Sequence, residues 1–575
     1  MTSHGFNMSK VLDSDGGFSN KTVGSPPCVL ECKSECGSEF ELFEGDGALQ
    51  PGGAFPLLSR ESLGLLVQYA GVGFLSGMLP SLAYPVFTVY LRMEGYQIAS
   101  YNQLVNLAWS LKLFPGILSD CFPIYGYKRK PYIFIGWILA LICCLAMALT
   151  PFPPPHYGPE TKGKNLSALT PNETALYVNL NSAADGYQFI LWSMVAAFGY
   201  IIADVAADAM MVQHAQREPL HMRGRIQTMI YTVRECFRII PNFFIGVGLN
   251  SYVYGGTFDF SVEPNVMYWL LVAACVSALL ASYFLVVETP TPPAPFRQYI
   301  QGLWDLIQLR VMWQVCLFRF LLYLSQKFDA TPRSVILKAW VNATPVVSSM
   351  YTASGYVVTT ITYFTVGRIG LGWNWRTSIV ASTVLAVLID GSTVFATIWC
   401  EDARLENLFL SMTILVANIP IGVQFLIGSY STVELADMGN EGAVHGLVST
   451  LGNFAAPIAG TIFKTVDSYF VVDTNTIKSD TNYARWQVTY TFIIAYATRL
   501  ATLGMLTFIP KQKTHLQLLK RRGKKDPIAG YVTVVAFVVL LVYQFVVGIF
   551  SLFPSTWCWH IAGGTGVPVG KTTCQ

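Results

Sequence analysis

Asp204 and Asp208 stand four residues apart in IIADVAADAMMVQHAQR (201–217). Arg234 and Arg238 stand four apart in RIQTMIYTVRECFR (225–238), with Glu235 beside them. Both stretches are otherwise apolar and are joined by a basic turn. Residues four apart share a helix face, so one helix presents two acids along a stripe and its neighbour presents two bases. At 1.5 Å of rise per residue, Asp204 lies roughly 13 Å in from Gln213 and Arg234 roughly 10 Å in from Gln227. Both are near the middle of an apolar layer roughly 30 Å thick. Ionisable groups at that depth face a cavity or a partner. The stretch therefore reads as an ion-pair network locking two helices, as a polar site for a solute or coupling ion, or as both, with opposite charges of the two helices meeting around a water-accessible pocket.

Further charges fall inside apolar runs. Lys112 either snorkels to the nearer interface or joins the Asp204/Asp208 site. Arg319 and Asp390 are lone charges in the second half of the chain and are candidates for its share of the site. His445 and Lys464 read as structural. Tyr69, Tyr84 and Tyr90 offer rings for stacking a flat ligand, or for packing. No His-x-x-x-His, Gly-x-Ser-x-Gly, paired-Asp protease motif or phosphate-binding P-loop occurs in a fitting context, which argues against catalysis and ATP-driven pumping. Cys28, Cys32 and Cys36 have no matching His or Cys cluster, so neither a metal site nor a cofactor is expected.

The elements that must position these groups are transmembrane helices. Of 575 residues, 53% are hydrophobic and 12% charged, and the mean hydropathy is +0.45; soluble domains carry about twice that charge. This is the composition of an all-α polytopic membrane protein in a lipid bilayer, with no nucleic-acid footprint. Residues 1–58 read as a disordered tail. With no cleavable signal visible, the first apolar span is expected to act as its own insertion signal. Apolar spans are expected at roughly 63–91, 98–119, 131–152, 187–212, 227–250, 266–288, 311–337, 346–367, 377–400, 405–433, 442–466 and 487–510, with a further hydrophobic helix at roughly 528–553. A Pro-rich, then amphipathic linker (289–310) divides the chain into a six-helix bundle at 59–288 and another at 311–510. A basic segment (511–527), the extra helix and a tail (554–575) follow.

Lys and Arg mark one side. With the N-terminus in the cytosol, the cytosolic loops hold Lys128, Arg129 and Lys130; Arg217, Arg223 and Arg225; Arg297 and Arg310; and Arg368 and Arg376. Asn165-Leu-Ser and Asn172-Glu-Thr, two glycosylation sequons, then fall outside. This favours the secretory route and the plasma membrane. Cys558 and Cys574 are free to pair if the tail is extracytoplasmic.

Several stretches resemble the folate–biopterin transporter family of the major facilitator superfamily. They are VQYAGVGFLSGMLPSLAYPVF (67–87), SDCFPIYGYKRKPYIFIGW (119–137), ADVAADAMMVQHAQRE (203–218) and RGRIQTMIYTVRECFR (223–238). GILSDCFPIYGYKRKP (116–131) resembles the superfamily's loop motif. The resemblance implies that Asp120, Lys128 and Arg129 form a latch on the cytosolic gate, with Arg223 and Arg225 as candidate partners. It also implies a secondary transporter of pteridines such as folates or biopterin, working by alternating access, while some members move other solutes such as S-adenosylmethionine. The residues fit that role. A carboxylate of Asp204 or Asp208 accepts the paired donors of a pterin, and Arg234 or Arg238 forks a folate carboxylate. Two close acids do not both ionise easily, so one is expected to carry a coupling proton. A transporter-like sensor that moves nothing is the competing class.

Overall fold

The computed structural model describes residues 46–575 apart from 165–169, 293–294, 342–344, 405, 554, 557, 560–573 and 575. Cys28, Cys32, Cys36 and Asn165 lie outside the described residues.

The chain is a succession of helices, with no strand among the described residues. In order they are α1 (Arg60–Ser81), α2 (Gly95–Leu107), α3 (Leu113–Cys121), α4 (Lys130–Leu149), α5 (Tyr187–Gln216), α6 (Arg225–Gly248) and α7 (Pro264–Phe284). The amphipathic α8 (Phe296–Ile307) follows. Then come α9 (Arg310–Lys327), α10 (Pro332–Ala339), α11 (Pro345–Ile369), α12 (Trp375–Trp399), α13 (Glu406–Leu435), α14 (Glu441–Asn453), α15 (Ala455–Asp467), α16 (Asn482–Ala501), α17 (Lys513–Arg521) and α18 (Pro527–Leu552). Among the described residues, eight helical runs are long and apolar enough to cross a membrane. The remaining expected spans, at α2–α3, α6, α9, α11 and α13, are helical at the expected places. Among them α2–α3, α6 and α9 carry the charges Lys112, Arg234, Glu235, Arg238 and Arg319.

Start signals are local. Pro occupies the first turn of α4, α7, α10 and α18, where its missing N–H costs nothing. Asn374 caps α12 and Asp526 caps α18 through their side chains.

Proline also explains where expected spans break. In span two a 3₁₀ turn, Ala108–Leu111, precedes Lys112; Pro115 lacks the amide that would bond the Leu111 carbonyl. Span one widens into a π-helical stretch, Ala83–Tyr90, that contains Pro85. Span eleven breaks at Phe454, where Pro457 cannot bond the Asn453 carbonyl. Span seven, expected as one run over 311–337, is corrected: α9 stops at Lys327, and Pro332 opens α10.

The tail expectation is also corrected at its end. Ala48–Gln575 forms one compact unit, and within it the Leu49 and Gln50 amides donate to the Gln216 carbonyl at 2.9 and 3.1 Å.

In the first half α4 packs on α5 and α7, and α1 on α6. In the second, α13 packs on α11 and α12, and α9 on α14. The halves meet mainly where α6 packs on α11 and α3 on α14, and α14 also touches α5. Paired glycines allow the closest approaches. On α1, a Cβ at Gly77 would stand 3.1 Å from the Arg238 Cα, and Gly73 likewise meets the Arg234 backbone. On α14, a Cβ at Gly446 would stand 2.9 Å from the Lys112 carbonyl oxygen. Both pairs (Gly73/Gly77 and Gly442/Gly446) have the small-xxx-small spacing that brings membrane helices together, and they bring up the helices that carry Arg234, Arg238 and Lys112.

The extra helix α18 packs on α2 and α9, so it spans the seam between the halves. Beyond it, Cys558 and Cys574 form a disulfide.

Candidate functional site

The joint in span two brings the Lys112 ammonium between the two acids of α5. Its Nζ lies 2.5 Å from Asp204 Oδ2 and 2.8 Å from Asp208 Oδ2. All three side chains are buried. Asp208 also accepts from the Tyr69 hydroxyl of α1 and meets His445 Nε2 of α14 at 3.2 Å. The other ring nitrogen of His445 lies 3.2 Å from the Thr432 hydroxyl of α13. Asp208 thus gathers groups from both halves of the chain. Asp204 Oδ1 is buried with no hydrogen-bond partner among the described residues.

The acids of α5 do not pair with the bases of α6, which corrects the expected meeting of spans four and five. Arg234 and Arg238 share Glu235 of their own helix, each at 3.0 Å. Arg238 Nε also donates to Ser76 Oγ at 3.1 Å. The spacing of the two arginines on one face is as expected, but their counter-charge is local.

A cavity of about 50 Å³ lies beside Lys112. Arg234, Arg319, His445, Tyr231, Tyr323 and Phe425 are among the residues that line it, with Trp109 and Asn453. The rings at the cavity are therefore Trp109, Tyr231, Tyr323 and Phe425. Of the three span-one tyrosines, Tyr69 is held by Asp208, Tyr84 is exposed, and Tyr90 stacks on Tyr254.

Asp390 belongs to a second cluster. Arg333 grips it with two nitrogens at 3.1 and 2.7 Å, the Tyr496 hydroxyl donates to it at 2.8 Å, and Asp329 pairs with the same arginine at 2.9 Å. It does not line the central cavity.

At the end carrying the basic loops, two ion pairs among the described residues join the halves. Arg129 Nη2 meets Asp120 at 2.5 Å and Glu441 of α14 at 3.2 Å. Asp120 Oδ2 accepts from the Ala443 amide at 2.8 Å, at the positive N-terminus of α14, and from the Tyr299 hydroxyl at 2.9 Å. Lys128 contributes its backbone amide, which donates to Glu288 at 2.8 Å. Arg223 meets both oxygens of Glu434 on α13 at 2.9 Å, and Gln517 of α17 donates to the same carboxylate at 2.7 Å. Arg225 pairs with Glu218 at 3.6 Å. The expectation that Arg223 and Arg225 partner Asp120 is therefore corrected: each has its own acid, and Arg129 fills that place.

Glu218 organises the turn before α6. Its two oxygens accept from the amides of Gly224, Arg225 and Ile226 at 2.8–3.1 Å. Burial pushes its carboxyl up, against these bonds. Lys513 of α17 donates to the Arg223 carbonyl, and burial pulls its ammonium down to about 8.

Sequence reasoning did not single out Glu434 or Glu441, it offered Tyr69 as a ring and not as a hydroxyl donor to Asp208, and it assigned His445 to structure. A signal for the two glutamates was present. The loop 434–441 between spans ten and eleven is acidic, on the side where the other loops are basic. Among the sequons, Asn172 is exposed in a short helix, Pro171–Tyr177.

Residues 72–155 match the BT1 family. The chain is 28% identical over 194 residues to "Probable folate-biopterin transporter 4" of Arabidopsis thaliana, covering 34% of this chain and 31% of the relative. It is 23% identical over 259 residues to "Folate-biopterin transporter" of Synechocystis sp., covering 44% of each. The matched stretches thus span less than half the length of these relatives. Among solved structures, the fold is similar to the crystal structure of a D-xylose-proton symporter, with a TM-score of 0.53 at 14% identity over 81% of this chain and 99% of that one. A ligand-bound structure of the proton:xylose symporter XylE from the major facilitator superfamily gives 0.51, also at 14% identity, over 81% and 98%. The chain resembles folate–biopterin transporters in sequence and major facilitator proteins in fold. These likenesses run to transporters, not to an enzyme family.

Proposed function

We propose that this protein is a secondary carrier of pteridine-type solutes, working by alternating access and coupled to protons. The observation that carries the reading is the buried Lys112–Asp204–Asp208–His445 cluster, built from both halves of the chain beside a cavity. Ionisable groups at such depth are expensive and belong to substrate or ion pathways. Carriers of this fold rock one half against the other about such a site.

The state described is closed at the basic end by Arg129–Glu441 and Arg223–Glu434. Opening that end separates both pairs and widens the small cavity toward the same side. Asp204, with Oδ1 unpartnered, is suited to accept the paired N–H donors of a pterin edge. Asp208, which touches Lys112 and His445, is suited to pass a proton as the halves move. We place the basic loops and the N-terminus in the cytosol of a plasma-membrane protein, with six-helix halves at 59–288 and 311–510. The Cys558–Cys574 disulfide supports an outward tail, because such bonds persist in oxidising compartments.

The test is uptake by proteoliposomes offered labelled folate, biopterin and S-adenosylmethionine. Accumulation of a pteridine, with Asp208→Asn abolishing its dependence on pH, supports the reading. An unchanged pH profile in that variant removes Asp208 from coupling. Uptake of S-adenosylmethionine alone keeps the carrier and changes its solute. Accumulation of none of the three favours a sensor. Loss of a glycosidase-sensitive mass shift on removing Asn165 and Asn172 checks the orientation.

A further inference from the structure

Among the described residues, Arg319 is a buried cation without a counter-charge. The other cations of the central region have one: Lys112 has two aspartates, and Arg234 and Arg238 share Glu235. Arg319 is 4% exposed, and no carboxylate among the described residues stands within ion-pair distance of it. Its polar contacts are the Phe425 carbonyl and the Tyr323 hydroxyl, both at 3.4 Å, the long limit of a hydrogen bond. Its Nε has no hydrogen-bond partner among the described residues. Rings of Tyr323 and Phe425 lie 5.0 and 5.9 Å from the guanidinium carbon. Gly428 makes the room, since a Cβ there would overlap the guanidinium.

An unpaired ion buried in protein is destabilising, and arginine does not escape by losing its proton. The guanidinium lines the cavity together with Arg234, whose own charge centre lies 5.1 Å from the same Phe425 ring. The cavity has the volume of one or two waters. It offers two planar donor groups converging on a small space beside aromatic faces.

We propose that Arg319 is the carboxylate receptor of the transport site, so that the carrier selects solutes bearing a carboxylate over neutral solutes with the same ring system. This rests on the carrier reading above. It moves the anion-binding role from the Arg234/Arg238 pair, which Glu235 neutralises in part, to the arginine on α9. The site then recognises its solute from both halves: a ring edge at Asp204 on α5, and an acid at Arg319 on α9.

The test uses the full chain in proteoliposomes with two probes, folate and biopterin, which share a pterin ring but differ in the carboxylates. In Arg319→Gln the ratio of KM for folate to KM for biopterin is expected to rise about 10- to 100-fold, the range for a charge-assisted hydrogen bond. Arg319→Lys is expected to restore part of that ratio. A ratio unchanged in Arg319→Gln, with both solutes affected alike, overturns the proposal. If the wild type moves neither solute, the carrier reading fails. The anion site is then judged by thermal stabilisation of the purified chain on adding folate. Stabilisation lost in Arg319→Gln supports it, and stabilisation absent from the wild type or retained in the variant overturns it. Arg319→Gln is expected to fold at least as stably as the wild type, because it removes an unpaired charge.

Discussion

His445 Nε2 on α14 lies 3.2 Å from Asp208 Oδ2 on α5, and the two residues come from opposite halves of the chain. Lys112 and Tyr69 reach the same carboxylate from the first half alone. A movement of one half against the other therefore keeps those two contacts and changes the histidine's. His445 is the member of the cluster that reports the relative position of the halves. A double-mutant cycle of Asp208→Asn and His445→Gln, read as thermal stability of the purified protein, is expected to give a coupling of about 0.5–3 kcal/mol, the range for residues in one polar network. Strict additivity of the two variants would show that the contact carries no energy.

The Arg223–Glu434 pair is fully buried and joins the loop before α6 to the end of α13. Removing one partner of such a pair leaves a buried charge unmatched, at about 3–5 kcal/mol. Arg223→Glu places two acids together and should lower the melting midpoint and uptake sharply, as should Glu434→Arg. Exchanging both residues restores opposite charges at the same place. The double variant is expected to regain at least half of the lost stability, although Gln517 then faces a guanidinium instead of a carboxylate. A double variant no better than either single one would mean that the pair does not hold the halves together.

The helices and their order were legible in the sequence because apolar length and basic loops are properties of each segment by itself. The two-acid stripe of Asp204 and Asp208 was legible for the same reason, as helical spacing fixes it. What was hidden was partner choice. Arg234 and Arg238 could in principle have reached across to α5, but Glu235 on their own helix was nearer. Lys112 could have snorkelled, but the turn before Pro115 and the close approach at Gly446 aim it inward. Arg223 was expected at Asp120, yet that carboxylate is occupied by Arg129 and by the amides that open α14. In each case rotation and tertiary distance decide, and neither is written in local spacing.

Lys513 supplies a pH dependence with a definite sign. Burial lowers its ammonium from 10.5 to about 8, opposed by Glu434 and reinforced by Arg223. Between these values the released lysine binds a proton that the packed one has lost. Stability of the closed basic end therefore rises as pH rises from about 8 to 10.5, and below about 8 the burial cost is present in full with no further change. The window is worth on the order of 3 kcal/mol. Melting midpoints of the purified chain should climb over that interval relative to Lys513→Met, in which the same rise should be absent. Parallel curves for the two proteins would rule the lysine out.

The segment before α1 closes the basic end from outside the bundle. Leu49 and Gln50 donate their amides to the Gln216 carbonyl, and the Gln50 side chain bonds the Gln216 side chain at 2.5 Å. Gln216 in turn donates to the Val433 and Ala436 carbonyls of the other half at 3.0 Å. Phe55 lies 4.6 Å from the His214 ring and beneath the Arg217 guanidinium, and its carbonyl accepts from Arg225 at 3.1 Å. The strap thus holds the residue that bridges the two halves. Phe55→Ala removes the ring that anchors it but leaves the carbonyl and both amides in place. We expect amide hydrogen exchange at Leu49 and Gln50 to accelerate about tenfold or more, since loss of a packed Phe side chain costs about 3–5 kcal/mol when fully buried and less for this partly covered ring. Uptake should lose its slowest step if release of this end limits turnover, so the maximal rate should rise while solute affinity changes little. Unchanged exchange in Phe55→Ala would show that the amide bonds alone hold the strap.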